Sequence, residues 1–118
     1  PADRLGIARD CYRAYEAGDR ALIEPHLAPQ FTFFSPADPG IDRDRYFERW
    51  RQVQLYSAPG ADLLRSFRFV RLLERDDEVI VTYEAEKQDG ARFRNTEILS
   101  FDGDLIGRVE VYFGWNLD

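Results

Sequence analysis

Glu97 is the residue of this chain whose setting could do proton chemistry, and Asn95 stands two positions before it in the alternating stretch RFRNTEILSF. Two residues apart on a strand share a face. On a face turned into the protein, a carboxyl group beside Val111 and Phe113 is desolvated. Its pKa rises, and it becomes a proton donor near neutral pH, with Asn95 orienting a carbonyl or hydroxyl. On the other face, Glu97 is a surface carboxylate able to pair with Arg94, and Asn95 bonds backbone. The hairpin that follows decides. A two-residue turn at Asp102-Gly103 puts Glu97 opposite the face of Val109, Val111 and Phe113. A three-residue turn with Gly103 in a left-handed conformation puts them together, because a slip of one residue exchanges faces.

The other polar candidates are weaker donors of chemistry. Asp38 lies in Asp-Pro-Gly, a turn in which an aspartate bonds its own backbone. Ser35, at a strand end, could bond a ligand or cap backbone, but as a base it would need an activating partner of its own. His26 stands beside Pro25 at a helix end. Cys11 is the only cysteine and His26 the only histidine, so no intrachain disulfide and no zinc site is expected, and no metal or other cofactor.

The elements that must position these groups follow from periodicity and punctuation. Residues 3–17 predict an amphipathic helix through Leu5, Ala8, Cys11 or Tyr12, and Tyr15, capped by Asp3 and closed by Gly18. Asp19 starts a short second helix that Pro29 ends. Residues 31–35 predict a strand stopped by Pro36 and a turn at Asp38-Pro39-Gly40. A third helix spans about 43–56, capped by Asp42, with Tyr46, Phe47, Trp50 and Val53 as its buried stripe. After a loop at Ser57-Ala58-Pro59-Gly60 come four strands at about 63–75, 78–88, 91–101 and 105–115, turned at Asp76-Asp77, Asp89-Gly90 and Asp102-Gly103. Three N-terminal helices on a strongly curved antiparallel sheet make an α+β barrel shaped like a cone. No repeat or linker divides residues 1–118, which are expected to form one domain.

Nine Phe, six Tyr and two Trp are more aromatic surface than a core of this size needs. Tyr15, Phe33, Trp50, Tyr83, Phe113 and Trp115 are therefore expected as walls of a cavity for a hydrophobic molecule. The net charge of −6, with arginines interleaved among acids, excludes a nucleic-acid partner. No apolar run reaches the length of a membrane span and no signal peptide is visible, so a cytoplasmic protein without membrane contact is expected.

The order of elements and several strings resemble the nuclear transport factor 2-like superfamily in its SnoaL-like branch. They are Tyr15-Glu16-Ala17-Gly18-Asp19, Phe31-Thr32-Phe33 leading to Ser35-Pro36, Ile41-Asp42-Arg43-Asp44 with Tyr46-Phe47-Glu48, and Val109-Glu110-Val111-Tyr112-Phe113-Gly114. The resemblance covers nearly the whole chain. It implies the cone-shaped fold, a pocket with Asp38 near its mouth, a homodimer through the convex sheet face, and the register that turns Glu97 inward. Ketosteroid isomerase of this fold uses an aspartate base, a tyrosine donor and a neutral acid. Ser35 and Cys11 fall at the first two positions and only Glu97 matches in kind, so that activity is not expected. The implied function is binding of a hydrophobic carbonyl or hydroxyl metabolite, with Glu97 as acid/base of a cofactor-free isomerase, cyclase or dehydratase. The alternatives are a non-catalytic ligand-binding module and a dimeric protein-interaction module of the same fold.

Overall fold

The computed structural model describes residues 3–56, 64–87 and 89–117. The expected loop Ser57-Ala58-Pro59-Gly60 lies outside the described residues, as does the side chain of Val53.

Helix α1 runs from Arg4 to Ala17. The Asp3 carboxylate accepts from the Gly6 amide at 3.0 Å, and Gly18 closes the helix at φ 64°, ψ 31°. Ala8, Cys11, Tyr12 and Ala14 form its buried face. The short second helix expected next is instead two 3-10 turns, Arg20–Leu22 and Glu24–His26. Pro25 has no amide to donate back into a continuous helix, so the chain breaks into single turns. Helix α2, Arg43–Tyr56, starts where Asp42 accepts from the Arg45 amide.

The strands are β1 (Leu27–Ser35), β2 (Asp38–Asp42), β3 (Leu64–Arg75), β4 (Glu78–Lys87), β5 (Arg92–Asp102) and β6 (Leu105–Asn116), in the order β2-β1-β6-β5-β4-β3. Three expectations are corrected. The sheet is mixed, because β1 lies parallel to β6. It is open at β2 and β3, a curled sheet and not a closed barrel. Only two of the three expected helices are α-helices, and α2 follows the first two strands. Asp38-Pro39-Gly40, expected as a turn, is itself strand. The reversal is made by Pro36-Ala37, and Ser35 faces Asp38 across it. Pro39 is tolerated because β2 is an edge strand with no further ladder to donate to.

Helix α1 packs on β3 and β4, and α2 packs on β1 and β2, so both lie over the inner face of the sheet. Val79, Val81, Leu99 and Ile106 close the core beneath them. Extra residues in the ladders, Gly40 on β2, Val70 on β3 and Gly107 on β6, bend the strands and deepen the curl.

The β5–β6 hairpin resolves the question of face by a device other than the expected one. Asp102 pairs with Leu105, leaving a two-residue turn of Gly103 at φ 62° and Asp104. That turn alone would pair Glu97 with Glu110 and separate it from Val111. Gly107 is an unpaired extra residue between Ile106 and Arg108, and beyond it Glu97 pairs with Val111 and Asn95 with Phe113. Glu97 shares the inward face of β5 with the buried Leu99 and Phe101, and the bulge, not the turn, brings Val109 and Val111 of β6 onto that face. A second irregularity follows Phe113, where a Cβ on Gly114 would stand 2.2 Å from the Arg94 carbonyl oxygen. Gly114→Ala must therefore push two strands apart. It is expected to lower the unfolding free energy by about 1–3 kcal/mol in urea titration, whereas Gly103→Asn, at an open turn position, should cost less.

Candidate active site

Between the curled sheet and the two helices lies a cavity of about 360 Å³. Its walls are aromatic and drawn from every layer: Tyr12 and Tyr15 of α1, Tyr46 and Trp50 of α2, and Phe33, Phe67, Tyr83, Phe93 and Phe113 of the strands. Edge-to-face contacts hold the rings, with Tyr12 at 5.3 Å from Phe67 and 5.5 Å from Phe69. Glu97, Ser35, Asp38, Arg49 and Lys87 are the charged and small polar side chains of the lining.

Glu97 sits at the inner wall. Tyr12 donates to its Oε1 at 3.0 Å and Tyr83 to its Oε2 at 2.6 Å. Burial raises the carboxyl pKa above its ordinary value of 4.5, and the two hydroxyl donors hold the rise back without cancelling it. The residue keeps partial exposure, which is exposure to the cavity. Both phenols are pushed well up, first by burial and then by the neighbouring Glu97, so they remain neutral donors. Cys11 lies behind them. Burial, and after it Glu97, push its thiol up to about 12, which leaves it protonated and unreactive.

A second carboxylate reaches the same cavity. Asp38 is 6% exposed, and its Oδ2 accepts from Ser35 Oγ at 2.8 Å while Oδ1 is ion-paired with Arg49. Ser35 Oγ also accepts from the Ala37 amide at 3.1 Å, so the hairpin end fixes the pair. A third polar group is the Tyr15–Tyr46 hydroxyl pair, in direct hydrogen-bond contact beside Trp50.

Of the residues singled out from the sequence, Tyr15, Phe33, Ser35, Asp38, Trp50, Tyr83, Glu97 and Phe113 come together around this cavity, with Phe113 at its rim, 63% exposed. Two do not. Asn95 is buried behind the wall, where Nδ2 donates to the Tyr83 hydroxyl at 3.4 Å and Oδ1 accepts from the Gly114 amide at 3.2 Å. It orients Tyr83 and does not line the cavity. Trp115, expected as a wall, is turned outward against the Arg94 guanidinium at 5.2 Å, because the irregularity after Phe113 reverses the alternation. His26 lies away from the cavity, 3.9 Å from Asp10.

Sequence reasoning missed Tyr12, Tyr46, Phe67 and Arg49 as lining residues. Tyr12 follows Ala8 by four and precedes Tyr15 by three, which marks one helix face. Tyr46 was legible only as core. Arg49 carried no signal, because its partner Asp38 reads as a turn residue.

No family model matches the sequence, and no curated protein matches it. Solved structures do. A SnoaL-like protein of unknown function from Burkholderia thailandensis is 16% identical over 96% of this chain and 97% of its own, with a TM-score of 0.70. A protein from Kribbella flavida, provisionally assigned as a ketosteroid isomerase, is 17% identical over 97% of this chain and 79% of its own, at 0.75. A designed protein with a curved β-sheet is 12% identical over 97% of this chain and 88% of its own, at 0.76. The chain thus shares the fold of nuclear transport factor 2-like, SnoaL-like and ketosteroid isomerase-like proteins. The described helices include none long and apolar enough to cross a membrane.

A raised Glu97 pKa has a consequence for stability. The folded state retains a proton that the unfolded state releases between the ordinary value and the raised one. The contribution is complete below the unfolded pKa and is lost as pH rises through the folded pKa. The stability of the wild type relative to Glu97→Gln should therefore fall with increasing pH across that window in denaturant titrations. A flat difference would mean that the carboxyl group is not perturbed.

Proposed function

We propose that the cavity binds a hydrophobic metabolite carrying a carbonyl or hydroxyl group and that Glu97 serves it as a general acid. The observation carrying this is one carboxyl group whose pKa burial raises while a second, Asp38, is ion-paired with Arg49 in the same cavity. Two carboxyl groups in such different settings, one buried with neutral donors and one beside a guanidinium, can divide the roles of acid and base. Glu97 donates to a substrate oxygen, Tyr12 and Tyr83 stabilise the carboxylate left behind, and Asp38 accepts a proton from the carbon beside the carbonyl. The enol so formed is the shared intermediate of isomerisation, cyclisation and dehydration, and none of these steps needs a cofactor. Ser35 and Arg49 orient the Asp38 carboxylate, and the ring walls hold the substrate away from water.

The engagement of Asp38 by both Ser35 and Arg49 favours a second reading, a ligand-binding module that catalyses nothing. Solvent-deuterium exchange at the α-carbon of a bound ring ketone such as 1-tetralone separates the two. Catalysis predicts exchange that falls about 10²–10⁴-fold in Glu97→Gln and in Asp38→Asn. Binding without exchange above the buffer rate would leave only the module.

The outer sheet face supports a second copy of the chain as partner. Leu73, Ile80 and Ile98 stand in one cross-strand row, with Leu73 and Tyr112 each 51% exposed. Beside them the Arg68–Glu84–Arg94 charges are already paired among themselves, which suits a partly polar dimer face. Sedimentation should give a dimer that Leu73→Glu dissociates. A monomer at all concentrations would refute the dimer.

A further inference from the structure

The cavity contains a polar group that the acid/base pair does not use. Trp50 is 6% exposed and lines the cavity, and its indole N–H has no hydrogen-bond partner among the described residues. It lies close enough to the Tyr15 hydroxyl to restrain the rise of that phenol's pKa, but not in hydrogen-bond geometry. Tyr15 and Tyr46 are both pushed up, first by burial, so each keeps its proton. Two hydroxyls in mutual contact use one of their two protons. The other proton has no acceptor among the described residues. One indole N–H and one phenol O–H are therefore uncommitted donors on residues that line an aromatic cavity. Tryptophan N–H can only donate. A buried donor left unmade costs about 1–3 kcal/mol, so such groups in a folded protein call for a partner.

Resting on the cavity reading above, we infer that Trp50 Nε1 and the uncommitted hydroxyl of the Tyr15–Tyr46 pair form a second subsite, which binds a proton-free acceptor oxygen of the ligand. The ligand is then a ring compound with at least two oxygen functions. One, a carbonyl or hydroxyl, meets Glu97. The other is a carbonyl or ether oxygen, because a site made of donors leaves a ligand hydroxyl's own proton unpaired. The two polar sites lie on different layers. Glu97 is on the sheet, whereas Trp50 and Tyr46 are on α2 and Tyr15 on α1. A single oxygen is thus not asked to serve both, and the pair fixes which way round the ring enters. Selection against a ligand lacking the second oxygen follows, since two donors would stay unpaired.

The test compares 1-tetralone with 4-chromanone and 4-isochromanone, its analogues in which a ring CH2 is replaced by an ether oxygen at two different positions. Binding is read by titration calorimetry as the affinity ratio within each protein. An apolar wall disfavours the ether oxygen, so the sign alone discriminates. The expected result is that at least one oxa analogue binds about 3–10-fold more tightly than tetralone to the wild type. That preference should vanish or invert in Trp50→Phe and in Tyr46→Phe and persist in Glu97→Gln. Because a ratio is read, a general loss of affinity in a loosened variant does not imitate the effect, and either Phe variant suffices if the other fails to fold. An oxa analogue never preferred over tetralone, or a preference that survives in the Phe variants, overturns the inference. Equal affinities with α-carbon exchange intact would do so while leaving the acid/base reading standing. An oxa preference without exchange would leave the subsite and remove the catalysis. No binding of any of the three would remove both.

Discussion

The structure depends on one costly act, the placing of the Glu97 carboxyl group inside a shell of aromatic rings. A carboxylate there without partners would be expelled or would unravel the wall around it. Tyr12 from the helix and Tyr83 from the adjacent strand each give one oxygen a donor, and Asn95 steadies Tyr83 from behind. The three-residue set ties α1 to β4 and β5 through the site itself. Burial still prevails over the donors, so the group stays biased toward its protonated form. Fold and chemistry are therefore supported by the same contacts.

The curl of the sheet makes the room. Bulges at Gly40, Val70 and Gly107 bend the strands, and the helices roof the concave side without filling it. A designed protein with a curved β-sheet shares this fold, and in such sheets bulges are what introduce the curvature. What sets this chain apart is the lining of the cavity. Among the described residues three separate polar clusters stand there: Glu97 with its tyrosines, Asp38 with Ser35 and Arg49, and the Tyr15–Tyr46–Trp50 group.

Much of this was legible from the residue string. The helices of α1 and α2, their caps at Asp3 and Asp42, and the last four strands follow from local periodicity and turn chemistry. The parallel pairing of β1 with β6 did not, because it joins segments some 75 positions apart with no local signal. Asp38 stands in Asp-Pro-Gly, which has the chemistry of a turn. Only the pairing with Ser35 across Pro36-Ala37 shows its carboxylate entering the cavity. Glu97 faces inward as the resemblance implied, but Val111 joins it only through a bulge at Gly107, a glycine that nothing nearby distinguishes from one in a regular strand. Trp115 turns outward for the complementary reason: strict alternation along β6 ends at the irregularity after Phe113.

The central claim is that Glu97 is a carboxylic acid held protonated above its ordinary range by the cavity. The direct measurement is a titration of carboxyl carbon shifts in the labelled protein, with Glu97 assigned from its absence in Glu97→Gln. A midpoint above the ~4.3 of a free glutamate, moving further up in Tyr83→Phe as a stabilising donor is lost, is the predicted result. A midpoint at or below that value, unmoved by Tyr83→Phe, would contradict the account and make Glu97 an ordinary solvated carboxylate.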